Sequence, residues 1–292
     1  MKQSKKIFAL GFFDGVHLGH QALLNVCVTR AKQGEMIPCA ITFGGHPQSL
    51  FQSDPPALIN TAEDRQRLLR QYGIAQISVY PVTKEVMSTT WQDFLEELIK
   101  VGAAGFVCGY DFRFGRGGKG TAQKIRQFCA ERGMTVEIVP EQIRDGVRIS
   151  STYIRSLIER GDVKTAAEFM GHRHILSGEV VQGRQLGRTI GVPTANILIP
   201  DGVVVPKHGV YACVAEVEGQ KFAAVTNIGS RPTVGGHQVR AESWLMDFDG
   251  DLYGKKLTLE FAEFLRPERK FASLEELKAQ IRLDAAKTTE IL

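Results

Sequence analysis

No apolar run in the 292 residues approaches the ~20 needed to cross a bilayer, which excludes a membrane-spanning helix. The opening MKQSKKIFALGFFDGVH carries lysines and a few apolar residues, but it breaks at Gly11 and Asp14 and is too short for the apolar segment of a secretory signal. Export is not expected. Cysteine is scarce: Cys27, Cys39, Cys108, Cys129 and Cys213 are odd in number, widely spaced and without a CxxC pair. That argues against a disulfide framework or a zinc site and fits a reducing cytoplasm. Dense Lys/Arg clusters are missing too, so the formal charge of +4 suits anionic small molecules, and nucleic acid is not an expected partner. Repeats of fixed period and low-complexity segments are also absent, which removes solenoid and disordered readings.

What is present is ordinary for globular chains, with 43% hydrophobic and 23% charged residues, and the length favours two folding units. The first half alternates strand-like and helix-like stretches. These are Lys6–Leu10, Gln21–Gln33, Ile37–Phe43, Thr61–Tyr72, Gln76–Tyr80, Thr90–Lys100, Gly105–Gly109, Thr121–Arg132 and Thr135–Val139, a pattern that predicts a parallel sheet flanked by helices. Thr61 with Asp64 and Thr90 with Asp93 read as capping boxes, and Thr121 as a further cap. Two more helices are expected over Ser151–Arg160 and Asp162–Met170. At Gly171-His172-Arg173 the character changes, and this places a boundary between residues 1–172 and 173–292. Beyond it, short β-rich runs separated by Gly, Pro and Asp predict a small antiparallel barrel or sandwich, closed by a helix that opens at the Ser273–Glu276 capping box.

The densest chemistry lies in Gly11-Phe12-Phe13-Asp14-Gly15-Val16-His17-Leu18-Gly19-His20, between the first strand and the first helix. Ligands of open α/β sheets bind outside the C-terminal strand ends, where this segment falls. Gly11, Gly15 and Gly19 permit close approach, the helix start offers N–H groups to phosphate, and His17 and His20 can donate to a polyphosphate from one face. The plainer reading makes the two histidines helix caps or partners of carboxylates. Ser151, Thr152 and Arg155 open a helix and can hold phosphates, or serve as a cap and a solvated arginine. The glycine-rich, cationic Gly109–Gly120 reads as a mobile phosphate-contacting lid or as a solvated loop. Asp111 suits a nucleotide or metal, and His46 a phosphate or a turn before Pro47. In the second half, Gly183-Arg184-Gln185-Leu186-Gly187-Arg188-Thr189-Ile190-Gly191 is a basic glycine-rich loop running into Pro193-Thr194-Ala195-Asn196. Thr194 and Asn196 offer hard oxygen ligands on one side of an extended segment, as Mg²⁺ with ATP requires, or they mark an ordinary turn into a strand.

Taken together these pieces resemble a known family. HxGH after a strand and a glycine turn is similar to the signature of nucleotidyltransferases related to class I tRNA synthetases. GFFDGVHLGHQ resembles the opening of bacterial bifunctional riboflavin kinase/FAD synthetases. Thr42–Pro47, Gly109–Gly115, Ile149–Arg155, the PTAN segment, Gly209–Tyr211, Thr226–Thr233 and Asp247–Gly254 follow in that family's order. The resemblance implies an α/β HxGH domain with a Rossmann-like parallel sheet, followed by a six-stranded barrel and a C-terminal helix. It implies that the barrel phosphorylates riboflavin to FMN with ATP, using Thr194 and Asn196 on Mg²⁺ and Glu242 as base, and that the first domain adenylylates FMN to FAD. Catalytic charge would be held by His17 and His20, and nucleotide by Gly11, Phe13, Asp14, Gly15, Gly19, His46, Asp111, Ser151, Thr152 and Arg155. Gly183, Arg188 and Gly191 would serve the kinase nucleotide. Two departures stand out: Gly44-Gly45 where relatives carry an acidic residue and a proline, and Trp244 where many carry histidine. A relative with one site silenced, a non-catalytic flavin-binding regulator and a nucleotidyltransferase for another phosphorylated substrate are the alternatives.

Overall fold

The computed structural model describes residues 4–183, 191–233 and 236–292, without the side chains of 231–233 and 236–237. Arg188 lies outside the described residues. The chain forms two compact units, one running to Leu58 and resuming over Ala62–Ser150, the other comprising Ile59–Thr61 and Ser151–Leu292.

In the first unit, β1 (Lys6–Leu10), β2 (Ile37–Phe43), β3 (Gln76–Tyr80), β4 (Ala103–Gly109) and β7 (Thr135–Val139) make a wholly parallel sheet in the order β3-β2-β1-β4-β7. Between β4 and β7 lie two short strands, β5 (Arg113–Phe114) and β6 (Gly120–Thr121), which pair only with each other. β1 is buried along Ile7–Leu10 because helices cover the sheet, which explains its unbroken apolar run. The helices are α1 (Leu18–Gln33), α2 (Ala62–Gln71), α3 (Lys84–Ser88), α4 (Trp91–Lys100) and α5 (Ala122–Ala130). Helix starts follow the sequence signals. Thr90 Oγ1 accepts from Asp93 N–H (3.2 Å), and Thr121 Oγ1 from Lys124 N–H (3.3 Å). A core of Phe8, Leu10, Ile41, Leu95, Phe106 and Ile125 joins sheet to helices. Cys27, Cys39, Cys108 and Cys129 are buried and free, and burial pushes Cys27 and Cys108 up to about 12, so they act as apolar packing.

A hairpin, β8 (Ile143–Arg144) and β9 (Val147–Arg148), closes the first unit, and α6 (Ser151–Glu159) and α7 (Val163–Met170) open the second. The rest of that unit is a closed antiparallel barrel rather than a sandwich. β10 (His174–Val181), β11 (Ala195–Leu198), β12 (Gly209–Val217), β13 (Gln220–Thr233), β14 (Gly236–Leu245) and β15 (Lys256–Arg266) run β10-β11-β14-β13-β12-β15 and back to β10. Its interior is filled by Leu176, Ile197, Tyr211, Ala224, Leu245 and Phe261 among others. α8 (Leu274–Ile291) starts at the expected Ser273 cap, where Oγ accepts from Glu276 N–H at 3.1 Å. It is tied to β15 by Arg266, whose Nε and Nη2 grip the buried Asp284 carboxylate.

His174, the first residue of β10, is 0% exposed, and neither ring nitrogen has a hydrogen-bond partner among the described residues. Burial, reinforced by His172, pulls its pKa down to about 3, so it folds neutral. The unfolded chain takes up a proton below the ordinary value of about 6.5, so this site withdraws stability as pH falls from there toward about 3. Urea unfolding of wild type and His174→Leu at pH 7.5 and 5.5 should show the wild type losing about 1 kcal/mol more than the variant between the two conditions. Equal losses would contradict this account.

Candidate active sites

The turn after β1 is tightly wound. Phe13 (φ 59°) and Val16 (φ 39°) are left-handed although neither is glycine, as is Gly15 (φ 80°). Such strain persists only where surrounding structure over-determines it. The turn delivers the chain into α1 with His17 as the N-cap, its Nδ1 accepting from His20 N–H at 3.3 Å. The capping reading of His17 therefore holds. The two imidazoles stack with centroids 3.7 Å apart and planes 15° apart. A Cβ at Gly19 would stand 3.2 Å from His17, and one at Gly11 2.9 Å from the Phe13 ring, so both glycines make room for this arrangement. Asp14 is buried within the turn. No acidic side chain occupies the first turn of α1, which leaves its positive end uncompensated by the helix itself. Burial first, then the charges of His17 and Arg65, lowers the His20 pKa well below the ordinary imidazole value. Its Nδ1 is buried without a hydrogen-bond partner among the described residues.

Beside Gly11 opens an apolar cavity of about 150 Å³ at the C-terminal ends of β1, β2 and β3, lined by Phe43, Tyr80, Met87, Phe94, Phe112 and Phe114. None of these six was singled out as a site residue from sequence. Their signal is an aromatic at or just beyond the C-terminal end of successive strands, as with Phe43, Tyr80 and Phe112. Gly44 and Gly45 form the bend after β2. A Cβ at either would meet only ordinary contacts of 3.8 Å or more, so the departure from the family pattern costs no space.

Other candidates are placed differently. His46 caps the 3₁₀ turn Pro47–Leu50, its Nδ1 accepting from Gln48 N–H at 3.2 Å, and stands edge-on to Phe12. Asp111 pairs with Arg148, which also lies over the Tyr110 ring. Within Gly109–Gly120, β5 and β6 pair, and Gly115 and Gly120 pack so tightly on Trp91 that a Cβ would come within 2.6 and 2.7 Å of it. Ser151, Thr152 and Arg155 stand on α6, counted within the second unit, whose first turn also lacks acidic side chains.

On the barrel, register assembles the second site. Asn196 of β11 and Asn227 of β13 both stand opposite Glu242 of β14, so the three form one cross-strand row. Their neighbours Ile197, Ile228 and Ala241 fill the core, which puts the row on the outer face. Trp244 follows on that face two residues beyond Glu242. Asn196 is buried, and its Oδ1 has no hydrogen-bond partner among the described residues. A Cβ at Gly183 would come 2.5 Å from Asn196 Nδ2, so only glycine lets the β10 end cover it. Gly183, Thr194 and Asn196 line a cavity of about 530 Å³ with Ser243, Asp249, Asp251 and Tyr253. Gly191 is exposed and left-handed (φ 75°) at the edge of the basic loop. Among the described residues no group of three or more His, Cys, Asp or Glu could hold a metal, and no helix is long and apolar enough to cross a membrane.

Known proteins match both parts of the chain. A model described as FAD synthetase matches residues 1–153, and one described as riboflavin kinase matches residues 170–292. A Bacillus subtilis protein named bifunctional riboflavin kinase/FMN adenylyltransferase is 35% identical over 97% of this chain and 91% of its own length. An Escherichia coli K12 protein of the same name is 35% identical over 95% of this chain and 90% of its own. A crystal structure titled a macrolide-efflux protein, from Streptococcus pneumoniae, superposes with a TM-score of 0.88 at 32% identity, covering 99% of this chain and 95% of that one.

Proposed function

The chain belongs to the family of bifunctional riboflavin kinase/FMN adenylyltransferases, and from that premise we propose that its barrel converts riboflavin and ATP to FMN and its α/β unit converts FMN and ATP to FAD. The observation that carries the reading is the pairing, in one chain, of a strained HxGH turn at the strand ends with the Asn196–Glu242–Asn227 row of a closed barrel. The efflux in the structural neighbour's title is said of that protein, while both family models name flavin chemistry.

In the kinase step the Glu242 carboxylate accepts the proton of the ribityl 5′-hydroxyl as that oxygen attacks the γ-phosphorus of ATP and ADP leaves. The buried, unpartnered Oδ1 of Asn196 and the hydroxyl of Thr194 in the same cavity fit Mg²⁺, which takes few protein oxygens and completes its shell with phosphate and water. A bound Mg²⁺ would neutralise phosphate charge there. Gly183 holds Asn196 in place, and Glu242 stands opposite it on the next strand.

In the adenylyl step an FMN phosphate oxygen attacks the α-phosphorus of ATP, and the bond to pyrophosphate breaks. His17 and His20, at the positive end of α1, stabilise charge on the triphosphate by position and hydrogen bonding, with no covalent intermediate. The apolar cavity beside Gly11 suits an edge of the flat isoalloxazine ring, between Tyr80, Phe94 and Phe112. Supplying FMN and ATP and measuring the co-product tests this assignment: pyrophosphate should appear in step with FAD, and ADP in its place would contradict it.

A further inference from the structure

The α/β unit buries a cation that belongs to none of the motifs. We propose that Arg65 is a positioning residue for adenylyl transfer, fixing the turn that presents His17 and His20 by tying it to the end of β2.

Arg65 projects from the first turns of α2 and is 0% exposed. Its Nη1 donates to the Phe12 carbonyl (3.3 Å) and its Nη2 to the Phe43 carbonyl (2.9 Å), so one planar guanidinium bridges the turn after β1 to the last residue of β2. The same guanidinium lies 4.7 Å over the Phe12 ring, and the Phe12 carbonyl also accepts from Thr42 Oγ1 at 2.7 Å. Phe12 is thus held on its carbonyl and on its ring. The next residue is the left-handed Phe13, whose ring meets His20 edge-on at 5.3 Å. Arg65 thus reaches the His20 ring through Phe12 and Phe13. A lysine would bring the charge without the fork that serves two carbonyls at once.

Charge adds a second strand to the argument. Burial of a guanidinium is costly, and the buried Asp14 carboxylate offsets it by favouring the charged form. Burial disfavours protonation of His20 most, and His17 from its own turn and Arg65 from α2 add to it, with the apolar Phe13 ring on the remaining side. Removing Arg65 would loosen the turn and let His20 protonate at higher pH.

The test is FAD formation from supplied FMN between about pH 5 and 9 for wild type, Arg65→Met and Arg65→Lys, with riboflavin phosphorylation by the same samples as internal control. Arg65→Met should lower kcat by about tenfold or more with the kinase step kept within about twofold, and the acid limb of its profile should move upward. Arg65→Lys should keep the acid limb near wild type while kcat stays low. Wild-type kcat in either variant, or an unmoved acid limb in Arg65→Met, would overturn the proposal. So would loss of both activities in Arg65→Lys, which would make Arg65 a residue of the fold at large. If Arg65→Met fails to fold, the lysine variant decides alone. The inference rests on adenylylation belonging to this turn. Wild type that makes no FAD from FMN would refute that assignment, whereas NMR titration of the His20 imidazole reads the Arg65 effect without turnover and should show an upward shift in Arg65→Met.

Discussion

Replacing Glu242 by glutamine should lower riboflavin phosphorylation by about 10²–10⁴-fold while FAD formation from supplied FMN proceeds at the wild-type rate. Glutamine keeps the size of the side chain and its place in the β11–β14–β13 ladder, so the barrel keeps its register. What is lost is the capacity to take a proton from an attacking hydroxyl. The separation of effects follows from architecture, because Glu242 lies in a unit with its own core and the HxGH turn in another. Separate assays of the two steps check this. Equal loss of both in a folded protein would mean that Glu242 is structural.

The converse substitution, His20→Ala, should lower FAD formation by about 10²–10³-fold and leave riboflavin phosphorylation unchanged. His20 supplies a donor at the start of α1, and its ring is also stacked on His17 and edge-on to Phe13. Alanine removes all three relations without altering the helix, where it is the better former. Only the binding of triphosphate and the charge developing on it should suffer. Accumulation of FMN without FAD from riboflavin and ATP would be the visible outcome.

Much of this was legible in the residues. The alternation of apolar runs predicted the parallel sheet to within a residue or two, and Thr90, Thr121 and Ser273 fixed helix starts through their hydroxyls. α1 begins three residues earlier than its apolar periodicity suggests, because His17 caps it, in line with the plainer reading of the two histidines as helix caps. Composition alone left a barrel and a sandwich equal, since both alternate in and out. Closure depends on the pairing of β10 with both β11 and β15, which is long-range information. Gly115 and Gly120 also let the β5–β6 hairpin press against Trp91, a packing role that glycine content alone does not announce. Arg65 was invisible for a different reason. Its partners are backbone carbonyls, and Phe12 lies 53 residues away, a relation that leaves no trace in side-chain pattern.

Incubating the purified protein with riboflavin, ATP and Mg²⁺ and separating the flavins over time tests the two-site account most directly. Transient FMN followed by FAD is the predicted result; riboflavin that remains unchanged would contradict it.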